Sequence, residues 1–213
     1  MDRTYIEKHA NRIILVMAIL IATLVTGVIT WRMQLTAQAK TQEHLAQEVL
    51  RFHILANSDS DEDQALKMTV KEQVIAYLEE TMPKGLDVDE TKDWMRRHTD
   101  ELEALAREVI VEEGADYPVS AAVTTCYFPE KTYGDVTFPA GNYEALRVEI
   151  GAAKGHNWWC VLYPNLCFLD ATNAVVPKEG KEELKNVLTE DEYSQVTAQS
   201  DFKIKWYFLE NLK

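Results

Sequence analysis

Ile13 to Thr30 reads IILVMAILIATLVTGVIT, eighteen positions without a charge or a proline. As a helix it would extend about 27 Å, close to the roughly 30 Å hydrocarbon core of a bilayer. Apolar residues occupy every side of such a helix, which argues against a soluble core helix with one buried stripe. Arg3, Lys8 and Arg12 precede the run, and Trp31-Arg32 closes it like an interfacial anchor. The segment marks export, and two versions of it stay open. Ala37-Gln38-Ala39 matches the small-x-small pattern of a cleavage site, which would release a chain starting at Lys40. The run is longer than the apolar region of about 7–15 residues in a signal peptide, which favours an uncleaved anchor. Either way residues 40–213 face outside, provided Lys8 and Arg12 hold the N-terminus in the cytoplasm.

Charge divides the chain at the same place. The 213 residues carry a formal −13, whereas residues 1–31 carry +1, leaving −14 on the rest. A nucleic-acid binder needs a basic stripe to follow phosphates, and none is present. An acidic surface also disfavours docking by charge onto anionic lipid. Apolar residues at 46% and charged residues at 27% exclude a disordered chain. Three cysteines are too few for a disulfide scaffold. We therefore expect three segments: a cytoplasmic stub and apolar helix (1–31), a polar spacer helix (32–48), and one extracytoplasmic domain (49–213).

The domain reads as α+β. Val49–Ala56 (VLRFHILA) is strand-like, and Asn57-Ser58-Asp59-Ser60 stops it. Leu66, Val70, Val74 and Leu78 then recur at helical spacing, with Ser60 and Asp63 placed as a capping box. Met95, His98, Leu102, Leu105 and Val109 mark a second helix over about 90–112, capped by Asp87 or Asp89 and closed by Gly114. Alternation over 117–128, 146–150 and 202–208 predicts strands. Trp158–Tyr163 is apolar on both faces and reads as a central strand. Short helices are expected over 181–188 and 190–196, the latter with a Thr189/Glu192 capping box. The expected architecture is two long helices packed on a mainly antiparallel sheet.

Few stretches offer chemistry. Asp59, Asp61 and Asp63 occupy positions 1, 3 and 5 of a calcium loop, but Gln64 and Val70 stand where glycine and glutamate belong. Helix capping accounts for the same acids, so no metal or other cofactor is expected. His53 as a catalytic base would need an oriented nucleophile, and neighbouring Ser58 and Asp59 prove little on an extended chain. A hydrogen-bonded structural role is the simpler reading of His53, and a core role that of His98. Trp158 and Trp159 must put one ring on each face of a strand, so one ring could anchor a partner. Cys160 and Cys167 flank a Pro164-Asn165 turn and could form a disulfide in an oxidising exterior, with Cys126–Cys160 the competing pair. A Cys160 nucleophile paired with His156 would require a bend at Asn157. No nucleophile elbow, zinc-protease, P-loop or CxxC pattern occurs, and neither an enzyme nor a small-molecule site is expected.

Two stretches are more specific. RFHILANSDSDEDQALKMTVKEQV (51–74) and TYGDVTFPAGNYEALRVEIGAAKGHNWWCVLYPNLCFLD (132–170) resemble the stage II sporulation protein R family of endospore-forming Firmicutes. Asn165 departs from the family pattern, where a second proline is expected. The resemblance implies a signalling protein made in the forespore and exported between the two septal membranes. There, proteins of this family activate a membrane-embedded aspartic protease, stage II sporulation protein GA, which matures pro-sigma-E in the mother cell. Motif density makes His53, Asn57, Ser58 and Asp59, together with His156, Asn157, Trp158 and Trp159, the expected partner-binding residues.

Overall fold

A computed structural model describes residues 3–167, 176 and 178–197. The expected strand over 202–208 lies outside the described residues. The chain divides into two compact units, residues 1–43 and 44–213.

The first unit is helical. Helix α1 runs without a break from Arg3 to Glu48, so the spacer is the same helix as the apolar run. Its side chains from Ile13 to Leu35 are largely exposed on every side, and the stretch is long and apolar enough to cross a membrane. A signal sequence or an anchor meets that description, and both are compatible with export.

The last turn of α1 belongs to the globular unit instead. Leu45 has no exposed surface, and Lys92 donates from Nζ to the Gln47 carbonyl (2.9 Å). The domain therefore begins near His44, several residues before the boundary that composition suggests.

The globular unit is built on a four-stranded sheet. Its strands are β1 (Leu50–Leu55), β2 (Val119–Phe128), β5 (Gly141–Ile150) and β6 (Asn157–Tyr163), in the order β2-β5-β1-β6. Two of the three pairings are antiparallel, and β1 with β5 is parallel. A parallel neighbour requires a long crossover; here it contains α2 (Asp61–Thr81), α3 (Val88–Glu112), β2 and a small hairpin, β3 (Lys131–Tyr133) with β4 (Val136–Phe138).

Both long helices start where local chemistry tells them to. Asp87 and Glu90 form a reciprocal capping box on α3, with Glu90 N donating to Asp87 Oδ1 (2.8 Å) and Asp87 N to Glu90 Oε2 (3.0 Å). On α2 only half of the expected box forms. Ser60 Oγ accepts from Asp63 N (3.2 Å), but the Asp63 carboxylate turns elsewhere. Near the other end of the chain, the Thr189 amide and hydroxyl both bond to Glu192 Oε2 at the start of a helical run over 190–197.

Two cores lie on opposite faces of the sheet. Leu66, Val70, Val74 and Leu78 of α2, and Met95, Leu102, Ala106 and Ile110 of α3, bury against Phe52, Ile54, Leu146, Val148 and Leu162. On the reverse face, Leu45, Val49, Phe128, Phe138, Tyr143 and Val161 meet Leu184 of α4 (Lys178–Val187), Leu188 and Val196. All six β1 residues are buried, and β1 is bonded to β5 on one side and β6 on the other, so β1 and β5 rather than β6 are the inner strands. The doubly apolar β6 has both faces covered but is hydrogen-bonded on one side only among the described residues. An apolar run on both faces reports cover above and below, not neighbours on both edges.

Leu102→Ala should destabilise the protein by about 2–5 kcal/mol, since Leu102 is fully buried. Val111→Ser, on the exposed side of the same helix, should change stability by less than about 0.5 kcal/mol. Urea denaturation of both variants checks the assigned face of α3.

Candidate functional site

The segment that ends β1 and the segment that precedes β6 meet and lock. Asn57 bonds in both directions. Its Oδ1 accepts from Ala152 N (2.9 Å), its Nδ2 donates to Asp63 Oδ2 (2.8 Å), and its carbonyl accepts from Lys154 N (3.2 Å). Ser58 donates its hydroxyl to the same Asp63 oxygen, and its carbonyl accepts from Gln64 Nε2 (2.9 Å). Asp59 Oδ1 accepts from the His156 amide (2.6 Å) and faces the His156 ring Nδ1 (2.5 Å). Lys67, buried on α2, donates to the His156 carbonyl (3.0 Å) and to Gln64 Oε1 (2.6 Å). Gly155 N reaches the Ala56 carbonyl (2.9 Å) and completes the clasp.

Two glycines make this approach possible. A Cβ on Gly155 would stand 2.1 Å from the Ser58 carbonyl oxygen, and one on Gly151 would stand 2.3 Å from Asn57 Oδ1. Gly151 also sits at φ +59°, which side-chain-bearing residues adopt at a cost.

The clasp perturbs its ionisable groups. Hydrogen bonds from Ser58 and Asn57 hold the Asp63 carboxyl below its ordinary value. The His156 amide does the same for Asp59. Burial pushes the Lys67 amine down, against the pull of Asp59. Asp59 and Asp63 thus turn to different partners, so these two carboxylates do not share the cation-ligating geometry that the calcium reading needed.

A catalytic constellation is not assembled here either. Asp59 orients the His156 ring, but the Ser58 hydroxyl is donated to Asp63. Cys160 and Cys167 are joined as a disulfide across the Pro164-Asn165 turn, with Cα atoms 5.5 Å apart. The Cys160 thiol is thereby removed from any pairing with His156 or Cys126.

The remaining expected residues are dispersed. Asn157 begins β6 opposite Leu55. Trp158 faces the two helices, edge-on to Phe52 with ring centroids 5.5 Å apart, and Lys71 Nζ lies 5.5 Å from its ring. Trp159 faces the other way and stacks on His53 at 4.9 Å. His53 is therefore a member of the reverse-face core and not of the clasp. Only 3% of it is exposed, and its Nε2 lies 3.4 Å from the free Cys126 thiol. His98 stacks on Trp94 at 3.8 Å and faces the Trp94 carbonyl through Nδ1 (2.7 Å).

Sequence reasoning missed Arg51, Lys67 and the carboxylate role of Asp63. Arg51 has no exposed surface. Its guanidinium carbon lies 4.4 Å from the centroid of Phe128, 5.0 Å from Phe138 and Tyr143, and 5.8 Å from Tyr133. Nε donates to the Cys160 carbonyl (3.1 Å) and one terminal nitrogen to the Tyr133 hydroxyl (3.0 Å). Burial lowers its pKa, while Tyr133 and Tyr143 oppose that. The available signal was parity, because Arg51 shares a strand face with His53.

These features define a class: an α+β domain behind an apolar leader helix, with its most distinctive segments bound to each other. Comparison with known proteins sharpens this. The family profile described as stage II sporulation protein R matches residues 46–173, and the chain belongs to that family. It is 39% identical over 156 residues to the protein named stage II sporulation protein R from Bacillus subtilis (strain 168), covering 72% of this chain and 69% of the relative. No solved structure matches the chain. A role in sporulation follows from this membership.

Two outcomes test the clasp and the reverse core. Gly155→Ala should lower stability by about 1–3 kcal/mol, because the Ser58 backbone must shift. Burial, with the nearby Arg147 and Arg51 charges, pushes His53 down to about 4. The unfolded ring titrates near 6.5, so the unfolded chain binds more protons between these values. The stability due to the neutral ring is complete above about pH 6.5 and is lost toward pH 4, on the order of 3 kcal/mol. Urea curves at pH 7 and pH 4.5 should show this slope in the wild type and its loss in His53→Gln.

Proposed function

We propose that this protein is an exported signal of sporulation that activates the membrane-embedded aspartic protease maturing pro-sigma-E in the mother cell. Family membership carries the proposal. The geometry is consistent with it, since the two segments that distinguish the family are bonded to each other rather than arranged around a nucleophile. Such a clasp presents a preorganised surface, and preorganisation lowers the entropic cost of binding. Asp59 and His156 lie at its exposed rim, with side chains 55% and 81% accessible, and are the members of the clasp best placed for direct contact.

The place of action in this reading is the space between the forespore and mother-cell membranes. The apolar stretch of α1 either anchors the protein there or directs its export before release after Ala39. The Cys160–Cys167 disulfide suits an oxidising exterior. Activation requires that the protease bind this protein more tightly in its active state than in its inactive one.

Reconstitution in a non-sporulating bacterium tests the reading. The protease and pro-sigma-E are expressed with and without this protein, and the size of sigma-E is followed by immunoblot. Processing is expected only when this protein is present and exported. No processing, with all three proteins confirmed present and this one outside the membrane, would overturn direct activation.

A further inference from the structure

Strand β2 ends the sheet on one side, and among the described residues its outer edge carries no strand. Its sequence, VSAAVTTCYF, contains no charge, proline or glycine. It pairs with β5 along its whole length without a bulge. Sheets ordinarily blunt such an edge with lysine, proline or a bulge, because its unpaired backbone groups template another strand. The edge of β6 is interrupted instead, where the Leu166 and Cys167 amides fold back onto the Val161 carbonyl (3.2 and 3.0 Å). On a chain of net −13, the long uncharged edge of β2 is built for pairing.

The direction of its backbone groups is fixed. Gly151 N donates to the Pro118 carbonyl (2.8 Å), which makes these two a hydrogen-bonded pair at the start of the ladder. Bonding alternates along an antiparallel pair, so the even-numbered residues of β2 bond to β5 and the odd-numbered ones turn outward. Ala121 N agrees, since it reaches out to Glu103 Oε2 on α3 (3.4 Å). Val119, Ala121, Val123, Thr125 and Tyr127 thus aim their N–H and C=O groups away from the sheet. Val119, Ala121 and Val123 lean on the helix-layer core, while the Tyr127 side chain stands exposed.

We propose that this edge joins a second copy of this chain, β2 to β2, antiparallel about a twofold axis at Val123. That register sets Val119 opposite Tyr127 of the partner subunit, Ala121 opposite Thr125 of the partner subunit, and Val123 opposite itself. Odd residues meet odd residues, so every outward N–H and C=O over this stretch finds its counterpart. On the other face Ser120 meets Cys126 of the partner subunit, and Ala122 meets Thr124 of the partner subunit. No charge faces a like charge, and the bulky pair lies at the ends with small residues between, which is the pattern that selects a second copy over an unrelated strand. An axis at Ala121 or Thr125 keeps the phase but shortens the overlap. Glu103 gives up Ala121 and keeps Arg107, which already donates to its other oxygen (3.2 Å). A twofold contact consumes both edges and closes at two copies, so it also prevents open-ended strand addition. The dimer carries two clasps and is bivalent toward any partner that the clasp binds.

The test uses the full chain in a neutral, density-matched detergent. Sedimentation equilibrium should show a dimer. Val123→Lys, which sets like charges opposite each other at the axis, should weaken association at least about tenfold. Thr125→Pro, which removes an outward N–H at an exposed position, should do the same to a similar extent, about tenfold. A cross-link tests the register. Ser120→Cys brings a thiol opposite the free Cys126 of the partner subunit at a non-hydrogen-bonded pair, where Cα atoms lie about 4.5 Å apart, within disulfide reach. Within one chain the two positions are roughly 20 Å apart along the strand, so the product must be intermolecular. Copper-phenanthroline oxidation should give a covalent dimer on a non-reducing gel at least about tenfold faster for Ser120→Cys than for Ala122→Cys, which has no thiol opposite it. A monomer in sedimentation, whether the edge stays open or is covered by the chain's own residues, overturns the proposal. Association unchanged in both Val123→Lys and Thr125→Pro assigns the contact to another surface and overturns it as well. Equal cross-linking at the two cysteine positions overturns the register.

Discussion

A guanidinium with no contact to water must be stabilised by the protein around it, and Arg51 places that demand at the centre of the sheet. Four rings answer it, from Phe128 on β2, Tyr133 on β3, Phe138 on β4 and Tyr143 on β5. Each cation–π contact is worth about 0.5–2 kcal/mol, the upper end applying where water is excluded. The contacts tie the small β3–β4 hairpin and the far ends of β2 and β5 to the central strand. The bond to the Cys160 carbonyl adds β6. Removal of Arg51 would therefore be felt by five strands, and the reverse core is organised by one polar group as much as by apolar area.

The other face follows simpler rules. There α2 and α3 bury regular apolar stripes on alternating strand residues, with no charge at the centre. The clasp joins the top of this layer to the sheet. Its members spend their hydrogen bonds on each other; Gly155 lets its backbone approach that of Ser58, and Gly151 leaves room for the Asn57 side chain. A loop held in this way is preorganised, which lowers the entropic cost of any binding it takes part in.

The two cores also separate the candidate residues by depth. Asp59 and His156 are accessible at the clasp, Trp159 and Arg147 are part-exposed on the reverse face, and His53 is sealed beneath Trp159. Substitution at His53 reports on packing and on the acid sensitivity of the fold. Substitution at Asp59 or His156, whose side chains are accessible, would report on the proposed contact instead. The same apolar cover that makes His53 resist protonation removes it from direct recognition.

Much of the fold was legible in local patterns. Apolar spacing located α2 and α3, and the Asp87/Glu90 and Thr189/Glu192 caps could be read from residue types three positions apart, because such bonds close within one turn. The apolar leader needed only length and composition. The alternation of β2 and β5 predicted which side chains face the helices. Opposite directions for Trp158 and Trp159 followed from the period of a strand. What stayed hidden depended on residues distant in the chain. The centrality of β1, the second core, the aromatic cage around Arg51 and the meeting of Asn57 with Ala152 all require strands to be placed side by side. Pairing order is decided by the burial of whole faces, and a single strand's pattern records its two faces but not its neighbours. Residue types thus settled the elements and the family, while only the tertiary packing decided which polar groups became rigid and which remained exposed.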